Sequence, residues 1–340
     1  MTKTVAVIKG DGVGPELVDA MLKVLKASGT KVKFQMCDAG ETWWKANGGD
    51  SLIPPKTWEI MKNADACFKG PTTTPGGIGS PRSVAVSIRK AFDLYANVRP
   101  IKTIPGVDGP LGAVEHVCVR EGTEGIYIGE EIQLSDDVVI AIRKITKTAS
   151  RKIARYAFEE ARRRGYKAVV PIHKSNILKK TCGTFLEVVE EVAKDYPDIE
   201  VWEYHIDNIA MQLIKNPQTF DKTVLLSTNL FMDVISEECS ALVGSIGMIY
   251  SANIGDNYAM FEPAHGSAPK YTGMDKVNPI ATILAGAWML DYLGEKKQSE
   301  KIFKAAEQAI SEGYVTYDMG GDKKLSEVAD RMIEIMKKKK

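Results

Sequence analysis

The chain has 340 residues, 44% hydrophobic and 26% charged, a composition typical of a folded globular protein and unlike that of a disordered one. Its 45 lysines and arginines balance 44 aspartates and glutamates, and the net charge of +1 argues against a dedicated nucleic-acid-binding protein. Five scattered cysteines without a C-x-x-C pair indicate reduced thiols in a cytoplasmic protein. No apolar run is long enough to span a membrane, and the length favours two domains.

The chain opens with a predicted strand over 4–8, a glycine-rich turn and a helix. Pro15 suits the first helical turn and Gly29 a C-terminal stop. Gly10, Gly12 and Gly14 are spaced G-x-G-x-G, which does not match the G-x-G-x-x-G dinucleotide-binding motif. We therefore favour a tight turn and keep a Rossmann-type site at this turn as an alternative.

Strands and helices continue to alternate through the first hundred residues. The pattern predicts strands over 31–40 and 65–70 and a helix over 55–63. Ser80 and Pro81 predict the start of a further helix, which runs to about Tyr95. Its apolar stripe consists of Val84, Ile88, Ala91 and Tyr95. This alternation is typical of an α/β domain.

A second region is predicted from about Arg99 to Ile246. It contains strands over 117–120, 167–172 and 200–205, helices over 149–165 and 184–195, and a β-rich stretch over 130–146 with little core of its own. We expect that stretch to pair across a dimer interface. The last third returns to α/β character, with Asn278 capping a helix that has Pro279 in its first turn. Two more helices end in the basic run 337–340.

Three acids in this second region are candidate metal ligands. Asp207 begins a helix-like segment, whereas Asp233 and Glu237 are four residues apart and project from one face of a helix. Carboxylate oxygens suit a hard cation such as Mg²⁺ or Mn²⁺. The competing interpretation is that these acids are solvated surface charges.

Three arginines and one tyrosine are candidate substrate ligands. Arg89, Arg99 and Arg120 each present a rigid fork that grips a carboxylate, and together they would hold a di- or tricarboxylate; singly, each would be a surface ion-pair residue. Tyr127 beside Lys174 would act as a proton donor, because a cation lowers the pKa of a tyrosine. The alternative for Tyr127 is a half-buried packing role.

The polar loop from Glu262 to Pro279 precedes a helix N-terminus, where an anionic or nucleotide ligand is favoured. Lys270 and Tyr271 would clamp a phosphate there. His265 would stack on or hydrogen-bond an adenosine.

In order along the chain, these segments resemble the metal-dependent β-decarboxylating dehydrogenases, the family of isocitrate and isopropylmalate dehydrogenases. The resemblance rests on GDGVGPE, GPTTTPGG, IRKAFDLYANVRP, VREGTEGIYIGEE, HKSNILK, DNIAMQL, NLFMDVISE, GSIGMIYSANIG, FEPAHGSAPKYTG and KVNPIATILAGAWML. It implies an isopropylmalate-dehydrogenase-like two-domain fold, a three-layer α/β architecture with a non-Rossmann cofactor site. The large domain would comprise 1–98 and 249–340, and the small domain 99–248 with a dimer-forming arm.

The resemblance also implies roles for individual residues. The substrate would be held by Ser83, Arg89, Arg99, Arg120, Tyr127, Lys174 and Asn176, with Tyr127 and Lys174 as the catalytic acid and base. Mg²⁺ or Mn²⁺ would be held by Asp207, Asp233 and Glu237. The cofactor would contact Thr74, Glu262, His265, Gly266, Lys270, Tyr271, Asn278 and Tyr317. The sites would be shared in a homodimer, with Lys174 and Asp207 reaching into the neighbour's pocket.

The expected activity is oxidative decarboxylation of isocitrate to 2-oxoglutarate and CO₂ with NADP⁺. Lys270 and Tyr271 favour NADP, because NAD-dependent relatives usually carry an acid and an aliphatic residue there. Gly321 stands where NADP enzymes of the bacterial type often have arginine.

Departures from the family pattern touch the substrate and metal sites. Glu237 replaces the commoner Asp, Ala85 replaces the usual Asn, and the loop over 76–81 is altered in length. Ser83 matches a serine that is phosphorylated in some relatives. Homoisocitrate and 3-isopropylmalate therefore stay open as alternative substrates, and a non-catalytic regulatory subunit as an alternative of another class.

Overall fold

The computed structural model describes residues 2–77, 79–107 and 109–338. The strands in these ranges are β1 (Thr4–Ile8), β2 (Lys33–Cys37), β3 (Ala66–Lys69), β4 (Ala96–Lys102), β5 (Glu115–Glu121), β6 (Glu131–Ser135), β7 (Val138–Ala141), β8 (Ala168–His173), β9 (Glu200–Val201), β10 (Tyr204–His205), β11 (Thr223–Ser227), β12 (Tyr250–Ile254) and β13 (Ala259–Pro263). The helices are α1 (Gly14–Ala27), α2 (Glu41–Asn47), α3 (Pro55–Lys62), α4 (Val84–Ala91), α5 (Lys147–Arg164), α6 (Thr181–Ala193), α7 (Ile206–Lys215), α8 (Asn229–Leu242), α9 (Ile280–Tyr292), α10 (Lys296–Ser311) and α11 (Leu325–Lys337).

Eleven of the strands form one mixed sheet in the order β10–β8–β11–β5–β4–β12–β13–β3–β1–β2, with β9 beside β8. Neighbours are parallel except at the centre, where β5, β4, β12 and β13 pair antiparallel in succession. The strands on the two sides of this centre therefore run in opposite directions. The functional side chains described below lie around this central region.

Helices cover both faces of the sheet. α1 and α7–α11 pack on one face, α2–α4 cover one half of the other face, and α5 and α6 cover its other half. Strands enclosed in this way are largely buried, as in β8, where all six residues are buried and five are apolar. The predicted three-layer α/β class is confirmed.

The glycine-rich turn after β1 packs closely against two other loops of the chain. A Cβ atom on Gly10 would lie 1.9 Å from the carbonyl oxygen of Pro71, and one on Gly12 would lie 2.1 Å from that of Ser267. Between them, the Asp11 carboxylate accepts hydrogen bonds from the backbone of residues 41, 42 and 73 at 2.8–3.0 Å. Protein backbone packs against both glycines, which favours the predicted tight turn over the Rossmann alternative. The turn instead fixes the loops that carry the site.

Two helices, α4 and α2, differ from the sequence predictions. The helix predicted from Ser80 to about Tyr95 spans only α4, because the Ser80 hydroxyl donates to the Gly76 carbonyl within the preceding loop and Asp93 adopts a left-handed φ of 48°. The short α2 was not predicted; its start is fixed from outside by Asp11. Asn278 Oδ1 accepts the Ile280 N–H at 3.0 Å, as predicted for a cap, but α9 begins at Ile280, so Pro279 precedes the helix and does not lie in its first turn.

Three residues of predicted features lie outside the described ranges. They are Ile78, in the loop predicted to be altered in length, and Lys339 and Lys340, in the basic tail. The proposed domain boundaries stay a prediction; one falls inside β4 and the other just before β12. Among the described helices, none combines the length and apolar character needed to cross a bilayer.

Strands β6 and β7 form a hairpin whose residues are all exposed. Leu134 and Val139 are 60% and 57% exposed. A lone hairpin is marginally stable in water, and the expectation that it pairs across a dimer interface stays a prediction.

Candidate active site

Three arginines converge at the centre of the sheet. Arg89 comes from α4, Arg99 from β4 and Arg120 from β5, and each is at most 7% exposed. Burial, together with the positive charges of Arg89 and Arg99, lowers the pKa of Arg120 to about 10, although Asp233 opposes the shift. The Arg120 cation is therefore destabilised by burial and by its two neighbouring cations, and an anion bound here would relieve that cost.

Helix α8 supplies the acids that face these arginines. Asp233 accepts hydrogen bonds from Arg120 and from the Tyr127 hydroxyl. Arg99 donates to Glu237 at 2.9 Å and lies 3.6 Å from Asp233. Both acids therefore lie on one helix face, as predicted, and the interpretation of them as merely solvated charges is wrong.

Asn229 completes this face and was not predicted. Its Oδ1 accepts Arg120 Nε at 3.0 Å and Nη2 at 2.6 Å. Asn229, Asp233 and Glu237 follow one another at intervals of four, and that spacing was the available signal.

Arg89 contacts a buried ion pair formed by Glu262 and Lys69. The Glu262 carboxylate lies 2.8 Å from Lys69 Nζ and 3.3 Å from Arg89 Nη2, and it accepts Asn253 Nδ2 at 2.6 Å. Burial alone would raise the pKa of Glu262, but the charges of Lys69 and Arg89 outweigh it and lower the pKa to about 2. Glu262, predicted as a cofactor ligand, is thus occupied in holding Arg89. Lys69 and Asn253 escaped prediction because nothing local in the sequence links them.

Burial and the hydrogen bond to Asp233 raise the pKa of Tyr127, while Arg120 opposes the shift. The prediction that a neighbouring cation lowers the pKa of Tyr127 is therefore wrong for the single chain. The cation beside the ring is Arg120, whose Cζ lies 4.9 Å from the ring centroid, whereas Lys174 pairs with Asp207 at 2.7 Å.

The three predicted metal ligands do not converge in one chain. Asp207 is held by Lys174 and its side chain is 67% exposed, and no group of three ligands in the described ranges combines it with Asp233 and Glu237. The nearby Asn176, in the turn after β8, is also exposed. In the single chain, Asp207 and Asn176 are therefore separate from the acids of α8, and their common role stays a prediction.

Two cavities connect the remaining predicted residues. One of about 180 Å³ is lined by Ser83, Ala85, Arg89, Arg99, Thr74, Glu262, His265 and Gly266. The other, of about 300 Å³, is lined in part by His265, Gly266, Tyr271, Asn278 and Tyr317. His265 and Gly266 line both, so the two cavities that hold candidate substrate and cofactor residues are adjacent.

His265 is prepared for a ligand. Burial lowers its pKa, so the ring is neutral at physiological pH. Its Nδ1 lies 3.0 Å from the Gly266 carbonyl oxygen, while Nε2 is buried with no partner among the described residues. A bound nucleotide would satisfy that atom, so these residues fit a nicotinamide cofactor.

At the rim, two lysines surround two tyrosines. Lys270 Nζ lies 4.8 Å from the Tyr271 ring, and Lys276 Nζ lies 4.4 Å from the Tyr317 ring. Lys276 was missed, because nothing in its local context marks it as part of this cluster. A Cβ atom on Gly321 would lie 2.0 Å from the Val315 carbonyl oxygen, so a side chain there would not fit without rearrangement.

A third cavity of about 230 Å³ lies beside Tyr127 and is lined by Arg82, Val86, Lys90, Lys144 and Glu130, among others. The Arg82 guanidinium makes one long hydrogen bond, to the Ile128 carbonyl at 3.4 Å. Three cations against one acid give this cavity a positive potential.

Comparison with known proteins places this geometry in context. A family model described as isocitrate/isopropylmalate dehydrogenase matches residues 4–335. The chain is 41% identical to a 3-isopropylmalate dehydrogenase of Methanothermobacter thermautotrophicus, over 93% of each protein. It is 41% identical to a homoisocitrate dehydrogenase of Methanocaldococcus jannaschii, over 98% of each. A crystal structure of isocitrate dehydrogenase from Methylococcus capsulatus is 40% identical and superposes with a TM-score of 0.94, covering 99% of this chain and 100% of that one.

Proposed function

The chain belongs to the isocitrate/isopropylmalate dehydrogenase family, and from this premise we propose that it oxidises and decarboxylates a malate whose C3 substituent ends in a carboxylate. The favoured substrate is homoisocitrate, the cofactors are NADP⁺ and Mg²⁺ or Mn²⁺, and the active unit is a homodimer. The observation that carries the proposal is the convergence of Arg89, Arg99 and Arg120 on the acids of α8, beside a cavity that continues to His265.

The proposed substrate, homoisocitrate, differs from isocitrate, the substrate expected from the sequence. The relatives above carry the names of three different substrates, and they favour the homoisocitrate or 3-isopropylmalate alternative over a specific assignment to isocitrate. The small Ala85 leaves room for a longer substituent. The positive cavity with Arg82 supports an arm that ends in a carboxylate, and an isopropyl group would leave those cations without a partner.

The residues present fit the proposed chemistry. When bound, a divalent cation would supply Lewis-acid polarisation of the substrate oxygens, and NADP⁺ would accept the hydride. Arg89, Arg99 and Arg120 would bind and orient the malate carboxylates, each with a two-pronged fork. Asp233 and Glu237 would provide the hard oxygen ligands.

Proton transfer falls to Lys174 and Tyr127. Lys174 of one subunit would take the hydroxyl proton in the site of the other. Tyr127 holds its proton on Oη at neutral pH, since its pKa is raised, and would deliver that proton to carbon after CO₂ is lost. This complete set of acid, base and acidic ligands favours a catalyst over a regulatory subunit. Turnover by the purified chain alone would exclude the latter.

The preference for NADP⁺ is supported by the cluster of Lys270, Tyr271, Lys276 and Tyr317. The ammonium groups of Lys270 and Lys276 would donate hydrogen bonds to the 2′-phosphate of NADP⁺. Lys276 would thereby supply the positive charge that is absent at Gly321.

The homodimer is supported by exposed apolar side chains near Lys174 and Asp207 in the chain. Ile177, Met211 and Ile214 are 69%, 49% and 56% exposed. With the exposed β6–β7 hairpin they form a surface suited to a second copy of the chain. The same association would bring Lys174 and Asp207 to the acids of a neighbouring α8.

Substitution of Arg82 tests the proposed arm site. We expect Arg82→Met to reduce kcat/KM for homoisocitrate about 10-fold or more, because the loss of one hydrogen bond between charged groups has an effect of this size. The kcat/KM for 3-isopropylmalate should be unchanged or raised. Arg151→Met is the matched control, because Arg151 pairs with Glu191 on a distant exposed surface. Equal losses for both substrates would overturn the assignment of the arm.

A further inference from the structure

A second cluster of ligand-bearing side chains lies outside the site described above. His116 and Cys118 are two residues apart on β5 and so project from the same face of the strand, and Cys239 approaches them from α8. Their ligand atoms all lie within 4.8 Å of one another. The three residues are at most 1% exposed, and both cysteines are free thiols.

His116 marks this cluster as incomplete. Neither ring nitrogen has a hydrogen-bond partner among the described residues. A buried polar side chain left unpaired is costly, and native proteins rarely retain one without a reason. His116 also lines a cavity of about 200 Å³ whose walls include Tyr166, Met248, Tyr250 and Phe303. The imidazole therefore lies between two thiols and an accessible space.

We propose that His116, Cys118 and Cys239 bind a single Zn²⁺ ion. Two thiolates and one imidazole form a donor set that Zn²⁺ accepts and that Mg²⁺, which prefers oxygen, does not. With bonds of about 2.3 Å to sulfur and about 2.0 Å to nitrogen, a tetrahedral site needs its ligand atoms about 3.5–3.8 Å apart. Ligand atoms now within 4.8 Å of one another would need to move closer by up to about 1 Å on binding the ion.

The location gives the ion a positioning role. Cys118 pairs with Arg99 across β4 and β5 and precedes Arg120 by two residues on the same strand. Cys239 follows Glu237 by two residues on α8. The bound ion would therefore link the strand that carries Arg120 to the helix that carries Asp233. The inference rests on the buried cluster alone and does not depend on the proposed function.

The test uses the full-length protein, freed of metal by a chelator under reducing conditions and then held in excess Mg²⁺ to saturate carboxylate sites. Added Zn²⁺ is expected to bind at one ion per chain. Added Co²⁺ is expected to give the strong near-ultraviolet band of thiolate-to-cobalt charge transfer. Both signals should be lost in Cys118→Ser and Cys239→Ser. They should persist in Cys67→Ser, a matched control in which the cysteine is likewise buried in a central strand.

X-ray absorption at the zinc edge of the unmodified protein needs no variant and so remains decisive if a serine variant fails to fold. We expect two sulfur ligands at about 2.3 Å and light-atom ligands at about 2.0 Å. A shell of oxygen and nitrogen alone, the absence of a thiolate band with Co²⁺, or an equal loss in Cys67→Ser would overturn the proposal.

Discussion

Replacing Glu262 by glutamine tests the buried charge network under the substrate site. The change removes the negative charge between Lys69 and Arg89 while it preserves side-chain shape. The carboxyl pKa falls from its ordinary 4.5 to about 2 in the folded protein, and each pKa unit corresponds to about 1.36 kcal/mol. The carboxylate therefore contributes about 3 kcal/mol to the stability at neutral pH, similar to the cost of breaking a buried ion pair.

The assay is equilibrium unfolding in urea at one protein concentration, measured from pH 7 down to the lowest pH at which unfolding is reversible. Because the folded pKa is lowered, the stabilisation is fully present above the unfolded value of 4.5 and is lost as the pH falls through about 2. We expect Glu262→Gln to lose about 3 kcal/mol at pH 7 and the gap to the wild type to shrink in acid. Glu300→Gln, at an exposed position on α10, is the control. A Glu262→Gln variant as stable as the control, or a gap that widens in acid, would refute this reasoning.

Further predictions concern the metal, the cofactor and the dimer. Asp233→Asn should raise the Mg²⁺ concentration needed for half-maximal activity by about 10-fold or more; an unchanged requirement would remove Asp233 from the ligand set. The double variant Lys270→Asp with Tyr271→Ile should lower the NADP⁺/NAD⁺ ratio of kcat/KM about 100-fold, since two hydrogen bonds to the charged 2′-phosphate are lost; an unchanged ratio would place the phosphate clamp elsewhere. Inactive Tyr127→Phe and Lys174→Met chains, refolded together, should regain about a quarter of wild-type activity, because half of the dimers are mixed and one of their two sites is intact. No recovery would argue against shared sites.

Much of the fold follows from local signals. Continuous apolar runs predict the buried strands, of which β8 is an example, and the four-residue spacing of Asp233 and Glu237 predicts their common helix face. These signals succeed because burial and helical periodicity depend on residues that are close in sequence.

The remaining features depend on contacts between distant segments. α2 begins where Asp11, thirty residues earlier, accepts its first N–H groups, and the Ser80 hydroxyl is taken up by its own loop and does not cap α4. In the site, Lys69 acquires its role from Glu262, and the pKa of Tyr127 is set by burial and Asp233. In the single chain, Asp207 pairs with Lys174 and does not join Asp233 and Glu237, so the proposed sharing of the site between subunits remains to be tested.

The proposed substrate is tested most directly by measuring kcat/KM of the purified protein for homoisocitrate, isocitrate and 3-isopropylmalate, each with NADP⁺ and Mg²⁺. The positive cavity around Arg82 and the small Ala85 predict the highest value for homoisocitrate, an intermediate value for isocitrate and the lowest for 3-isopropylmalate. The highest value with 3-isopropylmalate, or no Mg²⁺-dependent turnover of any of the three, would contradict the account.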